Sequence, residues 1–208
     1  MNLPVQFNGA VRQATVSYAV KPDFGFLREW RAALGEDRHP VRTDAVDLAT
    51  LACKRFKAHF SLECYAQRVE DIAAHVRNNP NCEVANLVML KCDWFPTSEV
   101  IGLAHFRRSW CNNLILDYLT AHPWIADRPG GCPDVVRGVG TALLCFLSDV
   151  GTKYDCGAIW GEATQNSRET YEKFFGLEHV QDLLYIPQSK FVEFAERIKE
   201  KWASKTLA

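Results

Sequence analysis

The chain has 208 residues, of which 48% are hydrophobic and 24% charged, and its formal net charge is −1. This composition is typical of a globular protein and excludes a disordered one. The length favours a single domain over residues 1–208. Because the charge is nearly neutral, we expect neither nucleic acid nor a membrane surface as a partner, and small molecules become the default ligands.

The eight cysteines are spread evenly along a chain that is large enough to be stable without disulfides. The first residues, MNLPVQFNGA, lack the basic start and apolar run of a signal peptide or membrane anchor. We therefore expect a cytoplasmic protein with mostly buried, reduced cysteines, of which Cys111 and Cys132 lie nearest to the site predicted below. No cysteine or histidine cluster has the short spacing of a zinc site, so no metal is predicted.

In the N-terminal part, the spacing of apolar residues predicts one strand and three helices. The strand covers residues 14–20, and the first helix covers 24–34 and ends at Gly35. A charged loop that contains Pro40 follows, and two further helices lie within residues 44–78.

After a turn, β-branched and large apolar residues predict an antiparallel meander of strands at 83–91, 99–107 and 113–119. A loop rich in proline and glycine follows at 121–135. The remaining predicted elements are a helix at 141–153, a strand at 156–163, a helix at 167–175 that ends at Gly176, a strand at 179–186 and a helix at 189–204.

Strand 113–119, helix 141–153 and strand 156–163 form a βαβ unit, so the two strands are expected to be parallel. The meander and this single crossover together predict an α+β fold, with helices packed on a mixed sheet.

The connection VVRGVG places Gly138 and Gly140 at the start of the predicted helix 141–153. Glycines there let a ligand approach the backbone, and the free N–H groups and dipole of a helix start attract phosphate. The alternative is a tight connection without a ligand. The motif lacks the GK[ST] ending of a Walker loop and the third glycine of a dinucleotide-binding loop.

Three segments in order, LDYLTAHP, VVRGVGTALL and IWGEATQNSRETYEKFFGL, resemble the GNAT acetyltransferase superfamily. They are similar to its central strand, its pyrophosphate loop with the following helix, and its next strand and helix. The resemblance covers about residues 83–186, with a less typical region at 1–82 and a C-terminal helix at 187–208. Val135 departs from the family's glutamine or arginine, and residues 124–134 form a longer connection than usual.

This resemblance implies a three-layer fold with a central mixed, mainly antiparallel sheet, one splayed parallel strand pair and helices on both faces. It also implies acetyl-CoA as the cofactor, with the pantetheine along Tyr118, Leu119 and Thr120. Asn166 resembles a cofactor-contacting asparagine, although it is also a good helix N-cap. The implied pyrophosphate site consists of Val136, Arg137, Gly138, Val139, Gly140 and Thr141.

The family often uses a tyrosine to protonate the departing thiolate, and Tyr171 is the candidate here. It lies five residues before Gly176, whereas the family tyrosine lies four before its glycine, so Tyr171 faces either the cleft or the core.

As general bases we predict Asp117 or Glu162, because burial in apolar strands would raise the pKa of a carboxyl group. The alternative for each is a solvent-facing strand residue. Strand alternation predicts that only one of Asp117 and Tyr118 points into the cleft. His105 and His122 are weaker candidates, and a water relay without a dedicated base also fits the family.

The predicted activity is direct transfer of an acyl group to a primary amine of a small molecule. Trp110, Trp124 and Trp160 are expected near the cleft, which suggests an acceptor with an apolar part. The alternatives are an amine of a protein or aminoacyl-RNA as the acceptor, and a CoA-binding protein that has lost catalysis. Family members are often dimers, so a homodimer is one expected assembly.

Overall fold

The computed structural model describes residues 1–20, 24–36, 39–127, 135–165 and 167–206. Its strands form one sheet in the order β7-β1-β2-β4-β5-β6-β8-β9, with β3 paired to β4. The strands are β1 (Asn2–Phe7), β2 (Ala10–Tyr18), β3 (Tyr65–Ala66), β4 (Val84–Lys91), β5 (Val100–Arg108), β6 (Leu114–Ala121), β7 (Val136–Arg137), β8 (Ala158–Glu162) and β9 (Leu183–Pro187). The helices are α1 (Phe26–Ala32), α2 (Pro40–Ala58), α3 (Val69–Asn78), α4 (Pro123–Ala126), α5 (Val139–Lys153), α6 (Arg168–Phe175) and α7 (Gln188–Thr206).

The predicted mixed sheet with helices on both faces is confirmed. One core cluster packs α3, α5, α6 and α7 against the sheet, and a second packs α1 and α2 against it. Among the described helices, none combines the length and the apolar character that crossing a membrane requires.

The first hairpin was not predicted from the sequence. β1 pairs antiparallel with β2, and the loop between them is Asn8 and Gly9, with φ angles of 50° and 83°. An Asn-Gly pair with both φ angles positive is the preferred two-residue hairpin loop, because its twist matches that of the strands. The hairpin puts β1 next to β7, where Gln6 pairs with Arg137.

The helix boundaries differ at one informative place. The charged segment around Pro40 was expected to be a loop, but Pro40 is the first residue of α2. Proline suits this position, because its fixed φ is helical and its missing N–H would have no partner there. Within the expected loop 121–135, residues Pro123–Ala126 form the short helix α4.

The predicted meander of β4, β5 and β6 is confirmed, and it contains a bulge. Tyr118 lies opposite His105 and Leu116 lies opposite Phe106, so Asp117 is the extra residue in β6. A bulge of this kind interrupts the regular alternation of side chains and bends the strand.

The predicted parallel pairing of β6 with β8 is confirmed, but it is short. The strands pair at three positions, from Leu114 with Ile159 to Leu116 with Gly161. Beyond Leu116, β6 continues to Ala121 and pairs only with β5 among the described residues. The two parallel strands therefore separate just after the bulge.

Candidate active site

The separation of β6 from β8 opens a cavity of about 410 Å³, which we call the splay cavity. Thr120 lines it from β6, Thr164 lines it just beyond β8, and Leu48 and Leu51 of α2 form an apolar wall. Because β6 has no second strand partner here, backbone N–H and C=O groups on this edge are available to an extended ligand that carries amides.

The start of α5 lies beside this open part of β6. Gly138 is the N-cap of α5 with φ 89°, a left-handed conformation that favours glycine. A Cβ atom at Gly140 would lie 3.8 Å from Cδ2 of Leu119, so this turn of the helix contacts the separated strand. The first N–H groups of an α-helix have no partner within the helix, so the start of α5 offers free donors next to the cleft.

A second cavity, of about 140 Å³, lies against the same turn and is lined by Arg137, Gly138, Thr141 and Lys201 of α7. Two cationic side chains and the positive end of a helix dipole share this small space. Such a combination favours a phosphate or diphosphate group.

The other residues predicted to bind the cofactor differ in which of their groups are free to contact a ligand. Val136 and Val139 are each 2% exposed, so only their backbone groups are free to contact a ligand. Thr120 is also buried, and its hydroxyl lies 3.3 Å from the carbonyl oxygen of Ala121. Asn166 lies outside the described residues.

On the other side of the bulge is a recess of about 570 Å³, which we call the Trp110 recess. Its lining includes two exposed indoles, those of Trp110 (66% exposed) and Trp160 (36% exposed). Trp124 does not join them, because its Nε1–H donates to the carbonyl oxygen of Ala33 at 2.9 Å. Two of the three tryptophans expected near the cleft therefore line one recess.

Asp117 and Tyr118 both line the Trp110 recess. The expectation that only one of them would face the cleft assumed an unbroken alternation along β6. The bulge at Asp117 removes that alternation.

Asp117 is held in a network of basic side chains. Arg107 donates to its carboxylate from Nε at 2.8 Å and from Nη2 at 3.1 Å, and Nδ1 of His105 lies 3.0 Å away. Nη2 of Arg55 approaches the same carboxylate at 3.3 Å. Burial alone would raise the pKa of Asp117, but the hydrogen bonds from His105 and Arg107 outweigh it and lower this pKa to about 2.

The expected raised pKa of Asp117 is therefore wrong. A carboxylate with a pKa of about 2 is a weak base at neutral pH. Its position suits it to orient Arg55 and Arg107 rather than to accept a proton.

Glu162 is the last residue of β8, one position beyond the last pair with β6, and its side chain is exposed. It lines the Trp110 recess and forms no ion pair with another described residue. Both predicted carboxylates lie one position beyond the last β6–β8 pair, but Asp117 is held by Arg107 and His105, whereas Glu162 is exposed.

The two histidines are buried within the described structure. Burial lowers the pKa of His105, so the ring is neutral at neutral pH and donates from Nδ1 to Asp117. His122 has a pKa lowered to about 4 by burial, and its Nδ1 accepts the N–H of Trp124 at the start of α4. Both act as structural partners in this geometry.

Tyr171 lies on α6 and is 7% exposed, in contact with the core cluster that contains Phe175. Burial raises its pKa to about 12. The phenol is therefore protonated throughout the neutral range. Of the two expected orientations of Tyr171, the structure shows the one toward the core, and Tyr171 lines none of the cavities described above.

The sequence did not single out Arg55, Arg107 or Glu83 as site residues. Arg107 also donates to Glu83 from Nη1 at 2.7 Å, so two carboxylates compensate the charge of its guanidinium group. Arg55 is 42% exposed and makes only the long contact with Asp117 among the described residues. No spacing rule links these residues, since they come from α2, from β5 and from the residue that precedes β4.

The described cysteines are free. Cys111 lines the Trp110 recess and is exposed, and hydrogen bonds from Ser109 and Asn113 lower the pKa of its thiol. Cys132 lies outside the described residues.

No protein-family model matches the chain, and no curated protein matches it. The solved structures that match include a mutant of the AtaT toxin bound to the C-terminus of the antitoxin AtaR and acetyl-CoA, at 14% identity over 86% of this chain and 95% of that one, with a TM-score of 0.44. A structure described as an acyl-CoA N-acyltransferase from Klebsiella pneumoniae is 11% identical over 84% of this chain and 97% of its own, with a TM-score of 0.43.

A nourseothricin acetyltransferase is 16% identical, with a TM-score of 0.34, and here the match spans 43% of this chain and 48% of the other. The chain thus covers less than half the length of this protein. At such low similarity, the assignment of a function depends on the geometry of the site.

Proposed function

We propose that the chain is an acyltransferase of the GNAT type, which uses acetyl-CoA and transfers its acyl group directly to a primary amine of a small molecule. The observation that carries this proposal is the short parallel pairing of β6 with β8, followed by their separation next to the start of α5. This geometry gives one ligand both a backbone edge for its amides and a helix start for its phosphates.

The residues around the cleft fit such a cofactor. The edge of Tyr118, Leu119 and Thr120 would hold the pantetheine amides, and the N–H groups at the start of α5 with Arg137 would hold the diphosphate. When bound, acetyl-CoA supplies an activated thioester. Everything else that the reaction requires must come from side chains of this chain.

The acceptor would enter the Trp110 recess. Glu162, at the end of β8, would accept a hydrogen bond from the acceptor's ammonium group and direct the released proton to solvent. Asp117 would act as a positioning residue, because its low pKa keeps it ionised and its hydrogen bonds fix Arg107 at the recess wall. We keep Tyr171, the residue that the family resemblance implies, as the donor of a proton to the leaving sulfur; its ring packs in the core, and the Tyr171→Phe variant below decides between this role and a purely structural one.

A thermal-shift titration with acetyl-CoA tests the cofactor assignment, with free CoA and ATP as controls. A ligand that binds only the folded state stabilises it by RT ln(1 + [L]/Kd), or about 2.7 kcal/mol at 100 Kd. We expect stabilisation by acetyl-CoA and CoA and none by ATP. No shift at saturating acetyl-CoA would show that the glycine turn is only a connection.

A matched pair of variants locates the binding site. Gly138→Val places a β-branched side chain at φ 89°, where glycine is favoured, and we expect it to abolish the shift with acetyl-CoA. Gly176→Val introduces the same change at φ 59°, at the C-cap of α6, which lines neither the splay cavity nor the cavity at Arg137, and is expected to leave the shift intact. An unchanged affinity in Gly138→Val contradicts the loop assignment.

A further inference from the structure

The charges that line the Trp110 recess are not equally compensated. Arg107 and Asp117 satisfy each other, and Glu83 takes a further donor of Arg107. Arg55 shares the carboxylate of Asp117, at 3.3 Å, with Arg107 and His105, and keeps 42% of its side chain exposed. Among the described residues, this is the one ion pair that Arg55 makes.

Glu162 also lines the recess, and among the described residues it makes no ion pair. It marks the end at which β6 and β8 separate, whereas Arg55 lies on α2. The recess therefore presents one available cation and one available anion from two different elements. A ligand with a carboxylate and an ammonium group matches this pair, because a guanidinium binds carboxylates through paired hydrogen bonds.

The third feature of the Trp110 recess is a pair of aromatic side chains. Trp110 and Trp160 both line the recess, and the ring of Tyr185 packs on Trp160 with a centroid distance of 4.8 Å. Packing against Tyr185 supports the indole of Trp160 while it stays 36% exposed. Exposed, supported indoles favour contact with a planar apolar group of a ligand.

From these three features we propose that the acceptor is a free amino acid with an aromatic side chain, which binds with its carboxylate on Arg55, its amino group toward Glu162 and its ring against Trp110 and Trp160. This inference rests on the proposed acyltransferase function and specifies its substrate class.

The placement of the amino group agrees with the chemistry. The ammonium group first loses one proton, and the neutral nitrogen then forms a C–N bond with the acyl carbon while the C–S bond breaks. The sulfur takes up one proton, and the nitrogen loses a second one. Each turnover thus converts an ammonium ion and a thioester into an amide, a thiol and one released proton.

The decisive experiment compares L-phenylalanine with phenethylamine, which lacks only the carboxylate, and with L-alanine, which lacks only the ring. Thiol release with acetyl-CoA gives kcat/KM for each amine. We expect L-phenylalanine to exceed both analogues by at least about tenfold, the loss expected for one charge-assisted or one aromatic contact. Equal values for L-phenylalanine and phenethylamine would overturn the proposal.

The variant Arg55→Gln keeps much of the side chain's length and removes its charge, and Arg12→Gln, at an exposed position on β2, is the matched control. We expect the ratio of kcat/KM for L-phenylalanine to that for phenethylamine to fall at least about tenfold in Arg55→Gln and to stay constant in Arg12→Gln. A ratio that is constant in both variants contradicts a carboxylate on Arg55.

A thermal-shift titration with L-phenylalanine alone tests the substrate class separately from the proposed acyltransferase function. Stabilisation of the wild type but not of Arg55→Gln supports the amino-acid site even without acyl transfer. If acetyl-CoA stabilises the protein while L-phenylalanine neither stabilises it nor releases thiol, the substrate class is wrong and the cofactor assignment stands. If acetyl-CoA fails to bind, the proposed function is wrong, and the L-phenylalanine shift still decides whether the recess binds amino acids.

Discussion

Arg107 donates two hydrogen bonds to Asp117, from Nε at 2.8 Å and from Nη2 at 3.1 Å. This pair lies at the bulge of β6, where the parallel strands begin to separate. The hydrogen bonds keep Asp117 ionised within an apolar strand, and they hold the side chain of Arg107 in place at the wall of the recess. Arg55 of α2 approaches the same carboxylate at 3.3 Å.

Asp117→Asn is expected to destabilise the fold by about 3 kcal/mol, because it leaves Arg107 and His105 facing a neutral amide in a buried site. Chemical denaturation measures this change. Glu70→Gln is the control, since the ion pair of Glu70 with Lys153 is exposed, and its removal should leave the midpoint nearly unchanged. Similar midpoints for the two variants would mean that the Asp117 network does not stabilise the fold.

Asp117 is expected to make the folded state less stable as the pH falls through the acidic range. Its pKa is lowered from 3.8 to about 2 in the folded state, so the unfolded chain binds protons more readily in this range. The stabilisation of the fold by ionised Asp117 is fully present above pH 3.8 and is lost as the pH falls to about 2. Between these pH values, the free energy of unfolding should depend more steeply on pH in the wild type than in Asp117→Asn. Denaturation curves measured at several pH values give this dependence. Parallel pH profiles would contradict the lowered pKa.

Gly140→Ala is expected to preserve the stability of the fold and to lower the affinity for acetyl-CoA. Alanine is favoured over glycine in a helix by up to about 1 kcal/mol. The added Cβ would lie 3.8 Å from Cδ2 of Leu119, an ordinary contact, so the fold should accept it. The methyl group would nevertheless occupy space between α5 and the open strand, so acetyl-CoA affinity should fall by about tenfold or more.

Denaturation and acetyl-CoA titration measure the two effects of this substitution. Gly25→Ala is the control, because a Cβ there has no neighbour within 4 Å and the site lies at the start of α1. Undiminished affinity in Gly140→Ala would place the cofactor elsewhere.

Tyr171→Phe is expected to slow turnover by about 100-fold, the lower range for loss of a general acid, while acetyl-CoA affinity stays nearly constant. The ring remains packed in the core, so the melting temperature should change little. Because the pKa of Tyr171 is raised to about 12, the wild-type rate should not fall from tyrosine ionisation at any pH up to 10. Tyr18→Phe is the control, since Tyr18 packs against the same core cluster. An undiminished rate in Tyr171→Phe removes this residue from the mechanism.

Much of the fold could be read from local patterns. The meander, the βαβ unit and the end of α6 at Gly176, with φ 59°, depend on periodicity and on glycine chemistry that neighbouring residues reveal. The Asn8-Gly9 pair is an equally local signal for the first hairpin. By contrast, the two-residue strand β3 and the pairing of β7 with β1 depend on partners far along the chain.

The sequence by itself determined the order of the longer helices and of strands β2, β4, β5, β6, β8 and β9, and the placement of glycines before α5, because backbone preferences act over a few residues. Only the tertiary structure decided the direction of the Asp117 pKa shift and the position of Arg55 in the recess. The bulge arises from the hydrogen-bond register between β5 and β6, and the basic network joins three separate elements. Charges act through space, so their effect on a carboxylate is set by which distant residues the fold brings within a few ångströms.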